Sequence, residues 1–269
     1  LQSVKRIDSI DEIHGILNGT SNYILDHMSK EGTSFQEVLQ NAQDLGYAEA
    51  DPSADIDGDD IRNKLKISAS VAFDCAPFQE IPTFGIRNIR KEDIAYAKAQ
   101  HRNIKLIATA KRSGDYYGAV IEPTLYEEGL MEASVADNFN LACLPGTTIG
   151  DLRFFGQGAG KLPTAHAIVQ DLLDLAQEVK LPEPSMHESL IYHPELLTSS
   201  YYIRSVLNDK EIQEILHGAI VHSEEAQGCR YTRTKPLEKA FLHKQMERIL
   251  KKDPQAFMMA LDQTGEEQA

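Results

Sequence analysis

The feature that most limits what this chain can become is a hairpin spelled out in residues 103–123. Over 103–111 the residues alternate, with Ile104, Leu106, Ala108 and Ala110 on one side and Lys105 and Thr109 on the other, the period of a half-buried strand. Ser113-Gly114-Asp115 turns the chain, and 116–123 returns as a second strand. Further strands are expected over 139–144, 147–152 and 151–155. Helical spacing precedes them at 23–30, 35–45, 60–73 and 94–102. Antiparallel hairpins among helices define an α+β fold, a mixed β-sheet covered by helices on one face.

Beyond the sheet, Gly156-Gln157-Gly158-Ala159-Gly160 opens a helix that runs to about 177, with Pro163 in its first turn. Pro182, Pro184 and Pro194 mark a linker over 181–196. The pattern then resets as strand, helix, two strands, helix, strand. That βαββαβ order is a small ferredoxin-like module over 197–269, with 264–269 expected to fray.

Composition narrows the function. A formal net charge of −14 over 269 residues argues against nucleic acid and anionic membranes as partners. No apolar run approaches the roughly 18 residues of a spanning helix. Cys75, Cys143 and Cys229 are far apart, as free thiols in a reducing cytoplasm would be.

The chemistry is concentrated in 46–66, GYAEADPSADIDGDDIRNKLK. Gly46, Pro52 and Gly58 break the chain, so 47–59 is expected to be a loop. Asp59 or Asp60 is the expected N-cap of the next helix. Asp60 and Lys64 are then one turn apart, acid first, the favoured order for pairing. An acidic loop with a lysine projecting back over it can bind a small zwitterion and move a proton. The bland alternative is a solvated pair worth a few tenths of a kcal/mol. A calcium loop fails on register: with Gly58 as its turn glycine, the twelfth position is Lys64 rather than a glutamate.

Two other polar stretches have the same double reading. Asn18-Gly19-Thr20-Ser21-Asn22 either offers backbone N–H groups to a ligand or simply caps the helix after it through Ser21 or Asn22. The 156–160 glycines are not a Walker motif, since only three residues separate Gly156 from Gly160 where four are needed, and Leu162 replaces the hydroxyl. They also lack the third glycine and the later acidic residue of a dinucleotide fingerprint.

Taken together, 15–25 (GILNGTSNYIL), 45–52 (LGYAEADP) with Asp55, Gly58, Asp60 and Lys64, and 156–165 (GQGAGKLPTA) resemble homoserine dehydrogenases. The resemblance implies NAD(P)-dependent interconversion of L-homoserine and L-aspartate 4-semialdehyde, in threonine and methionine biosynthesis. It implies Glu49 and Asp55 as ammonium ligands, with Gly19, Thr20 and Tyr47 shaping the pocket. Lys64 would act at the reacting oxygen, positioned by Asp60, and Gly158, Ala159 and Gly160 would face the cofactor. Residues 1–180 would be the substrate-binding and dimerisation domain of a cytoplasmic homodimer, and 197–269 an ACT-like module. The family's nucleotide-binding fingerprint is nowhere in the sequence. The expectation is therefore a fragment that binds no cofactor and is inactive alone, with an exposed apolar face on the helix after the glycines. The competing expectation is a non-catalytic amino-acid-binding protein. The module's first turn reads Asn208-Asp209-Lys210-Glu211-Ile212, without the glycine usual in effector-binding members.

Overall fold

The computed structural model describes residue 4, residues 8–180 and residues 188–262. The expected frayed tail and the first half of the expected linker lie outside them. In chain order the elements begin β1 (Glu12–Ile16), α1 (Gly19–Glu31), α2 (Phe35–Asp44), α3 (Ser53–Ile56), α4 (Asp59–Phe73) and α5 (Lys91–Ala99). The hairpin β2 (Arg102–Ser113) and β3 (Tyr116–Glu127) follows, then α6 (Met131–Ser134), β4 (Phe139–Gly146), β5 (Gly150–Gln157) and α7 (Lys161–Ala176). After these come β6 (Ile191–Tyr192), β7 (Thr198–Ser199), β8 (Tyr201–Arg204) and α8 (Asp209–Ile215). The chain closes with β9 (Ile220–Ala226), β10 (Cys229–Thr234), β11 (Leu237–Glu238), α9 (Lys239–Lys252) and β12 (Phe257–Leu261).

One mixed sheet runs β5-β4-β1-β2-β3-β12-β8-β10-β9. The hairpin is its spine, paired in register from Arg102↔Glu127 to Ser113↔Tyr116. Ile104, Leu106, Ala108 and Ala110 point into the main core with Ile24, Met28, Val38, Ile61, Leu65 and Ile94 from α1, α2, α4 and α5. Each such Ile, Leu, Val or Met side chain stabilises the fold by roughly 1.5–3 kcal/mol through burial.

The reverse face departs from simple alternation. Lys105 is 2% exposed there, and its hydrogen bonds come from Val135, the residue after α6, and from Asn22 of α1. Lys105 Nζ donates to Val135 O at 2.5 Å and Asn22 Oδ1 at 3.1 Å, and burial lowers its pKa to about 8.

The C-terminal strands do not form a separate sheet. β12 pairs in parallel with β3 through Ala260↔Thr124 and Leu261↔Leu125. The order β12-β8-β10-β9 is antiparallel throughout, as in a ferredoxin-like unit. Its helices α8 and α9 cover the face opposite to α5, packing Leu242, Met246 and Ile249 against Tyr201, Ile203 and Met258. The described part of the expected linker is also held, since β6 adds to β3 at Tyr116↔Ile191.

Several local expectations are corrected. α1 is capped by Asn18, whose Oδ1 accepts from Ser21 N at 2.8 Å, while Ser21 and Asn22 sit inside the helix. α4 has Gly58 as N-cap, at φ 90. A side chain there would meet Thr83 Cγ2 at 2.9 Å, so a capping aspartate cannot occupy the position. The expected loop 47–59 contains the single turn α3. α7 has no buried residue; Ile168, Leu172 and Leu175 are among its exposed apolar side chains.

Candidate functional site

One open cavity of about 650 Å³ is lined by Asn18, Gly19, Thr20, Tyr47, Glu49, Asp55, Asp60, Lys64, Gly158, Ala159 and Gly160, with Asp51, Asn138 and Asn140 among the rest of its wall. Ten residues singled out from three separated stretches of sequence meet in one place. The end of β1, the start of α1, the α3–α4 turn and the start of α7 converge there.

Lys64 is fixed from two sides. Its Nζ lies 2.7 Å from Asp60 Oδ2 and donates to Leu17 O at 3.1 Å. An ammonium has three N–H donors, so one remains for a ligand. The pair is partly exposed, which limits its stabilising worth to about 0–1 kcal/mol; its value lies in aiming the lysine.

Asn18 is the residue that sequence reasoning missed. Its Nδ2 donates to Asp55 Oδ1 at 2.7 Å and Asp60 Oδ2 at 2.8 Å. The same amide therefore caps α1 and holds two carboxylates side by side. Burial raises the Asp55 pKa; the Asn18 hydrogen bond opposes this and the Asp60 charge adds to it. The NGTSN run carried a cap signal, but nothing local told which carboxylates the cap would reach 37 and 42 residues away.

The remaining wall is set by backbone. Thr20 Oγ1 donates to Tyr47 O at 2.6 Å, tying the loop to α1, and Tyr47 packs on Tyr23 at 5.2 Å between ring centroids. Asn22 Nδ2 donates to Asp137 O at 2.8 Å, fixing the segment that carries Asn138 and Asn140. Gly158 faces that segment so closely that a Cβ would lie 2.2 Å from Asn140 Nδ2. An acidic rim beside one aimed ammonium suits a small zwitterion.

Comparison with known proteins gives this cavity a context. A sequence profile of the homoserine dehydrogenase family matches residues 1–173. The chain is 36% identical over 213 residues to the homoserine dehydrogenase of Neisseria gonorrhoeae, covering 75% of this chain and 49% of that protein. Among solved structures it is similar to a homoserine dehydrogenase from Thiobacillus denitrificans, with TM-score 0.81, 29% identity, and 97% of this chain and 66% of that one covered. A hyperthermophilic archaeal homoserine dehydrogenase mutant in complex with NADPH matches with TM-score 0.55 and 25% identity, over 66% of this chain and 51% of that one. The chain thus spans about half the length of the curated relatives it matches. With its profile match, its relatives and its fold in agreement, the chain belongs to the homoserine dehydrogenase family.

Proposed function

We propose that the cavity binds L-homoserine or L-aspartate 4-semialdehyde and that the chain supplies the substrate side of an NAD(P)-dependent homoserine dehydrogenase in threonine and methionine biosynthesis. The observation that carries this is the convergence of Thr20, Tyr47, Glu49, Asp55, Asp60 and Lys64 on one cavity. Glu49 and Asp55 take the substrate ammonium. Gly19 and Thr20 open α1, whose positive dipole end suits the carboxylate.

In the reducing direction the aldehyde carbon gains a hydride and its oxygen gains a proton. The nicotinamide cofactor, when bound, supplies the hydride. Lys64 Nζ gives the proton through its remaining N–H, and Asp60 with Leu17 O keeps the amine aimed as charge develops on the oxygen. The glycine stretch fits one edge of such a cofactor. Its backbone is bare at the cavity rim, and Gly160, the N-cap of α7, brings no side chain over that helix's first N–H groups. The glycine fingerprint for a pyrophosphate does not occur in the sequence, so Gly158, Ala159 and Gly160 are assigned that edge alone.

The same reading takes 1–180 as the substrate-binding and dimerisation domain of a cytoplasmic homodimer and 197–269 as an ACT-like unit. The strand order of that unit supports it. Its first turn is closed by its own capping box, Asn208 with Glu211, which favours a packing role over effector binding. Kinetics of the Lys64→Ala variant, in enzyme that turns over, test the chemistry. Expected is a loss of kcat of about 10²–10⁴-fold with KM little changed; an unchanged kcat removes Lys64 from the mechanism.

A further inference from the structure

On the reverse face of the sheet, away from the α1–α4 core, three metal-ligating side chains from separate stretches of sequence meet in one cluster. His14 on β1 stands directly opposite Cys143 on β4, and α6 lowers Glu132 onto both. One ligand atom from each of the three lies within 4.8 Å of the others. Cys143 Sγ is 3.3 Å from Glu132 Oε1, and His14 Nε2 is 3.9 Å from the same oxygen.

As a plain hydrogen-bonded cluster the trio is satisfied at Glu132 Oε1, which Cys143 and Arg153 both engage, but not at His14. The His14–Glu132 separation is too long for a hydrogen bond. His14 Nδ1 is buried without a hydrogen-bond partner, although Glu12 Oε1 lies 3.4 Å away. Burial opposes charge on His14, yet Cys143, Glu12 and Glu132 outweigh it and raise its pKa to about 11. A metal bound here therefore displaces that proton, together with the Cys143 thiol proton, to solvent.

We propose that His14 Nε2, Cys143 Sγ and Glu132 Oε1 form a three-ligand site for a divalent transition metal of the zinc type. Zinc bonds of about 2.0–2.3 Å at tetrahedral angles put ligand atoms about 3.3–3.8 Å apart, which takes in the Cys143–Glu132 separation and falls just short of the His14–Glu132 one. A nitrogen, a sulfur and a carboxylate oxygen are a borderline-soft set suited to zinc over magnesium or calcium. Glu12 completes the arrangement as the carboxylate that orients a metal-bound imidazole through its other nitrogen. Arg153, whose Nη2 lies 3.3 Å from Glu132 Oε1 and 3.8 Å from Asp151 Oδ2, moves to Asp151 when the ion arrives. Being partly exposed, Arg153 marks the entry path. The fourth position is open to water. The inference is independent of the substrate cavity.

The test is titration of the reduced, chelator-stripped 269-residue protein with Co(II), followed by the thiolate charge-transfer absorption. One saturable equivalent is expected, displaced by Zn(II). The band disappears in Cys143→Ser and in Glu132→Gln and is unchanged in Cys229→Ser. Glu12→Gln weakens Zn(II) binding by about 10–100-fold. No thiolate band in the wild-type protein overturns the proposal, and so does a band that survives in Cys143→Ser with circular dichroism intact.

Discussion

Asn18 carries more of the site than its size suggests. Replacing it with alanine removes a helix cap, worth about 0.5–2 kcal/mol, and unties Asp55 from Asp60. Thermal denaturation of Asn18→Ala is expected to show that loss, with substrate affinity falling as well; full affinity would make Asn18 a cap and nothing more. Asp55 adds a pH signature. Its pKa is raised by burial, and only its ionised form attracts an ammonium. Binding is therefore expected to weaken with falling pH sooner than a free aspartate would allow, and Asp55→Asn should remove that dependence. Asp60 and Lys64 were legible in the sequence because their contact is one helical turn long. Asn18 was not, because its partners lie on a different element and only the tertiary fold brings them within reach.

Two buried polar clusters tie the C-terminal strands and helices to the rest of the fold, one to the hairpin and one to α5. Glu122 on β3 accepts from Tyr201 Oη at 3.1 Å and Lys239 Nζ at 2.8 Å, and meets His243 Nε2 at 2.8 Å. Burial would raise its pKa, but Lys239 and His243 prevail and lower it to about 2. A depressed carboxylate contributes stability that is present above its unfolded pKa and lost as pH falls toward the folded one. The loss is therefore expected between about pH 4.5 and 2, and Glu122→Gln should abolish that part of the acid-unfolding profile. The variant should also cost about 3–5 kcal/mol at neutral pH, because it leaves the mostly buried Lys239 and the buried His243 without their carboxylate. On the other face, Arg204 Nε donates to Asp93 Oδ1 at 2.7 Å, and Tyr231 Oη donates to the same oxygen at 3.1 Å. The βαββαβ order was readable from periodicity alone. That β12 would join β3 was not, because a short apolar strand such as FMMAL carries no signal for which edge it pairs with.

At the scale of the whole molecule, a sheet continuous from β5 to β9 and a core that includes Tyr202, Tyr231, Phe257 and Met259 beside α4 and α5 residues make the two halves one cooperative unit. A single unfolding transition is expected by calorimetry. Two resolved transitions would mean that residues 197–262 fold independently despite their pairing with β3. The exposed apolar surface of α7, with Ile168, Leu172 and Leu175, agrees with the expectation drawn from the absent nucleotide-binding fingerprint. The central claim is that the acidic cavity recognises an amino acid by its ammonium. The most direct test is calorimetric titration of the 269-residue protein with L-homoserine, beside Glu49→Gln and with the amine-free 4-hydroxybutanoate as control ligand. The account predicts saturable one-to-one binding of homoserine, weakened at least about tenfold by Glu49→Gln, as for loss of a charged hydrogen bond of about 1.5–3 kcal/mol, and none of the amine-free acid. Equal binding of both ligands, or homoserine binding untouched by Glu49→Gln, would contradict it.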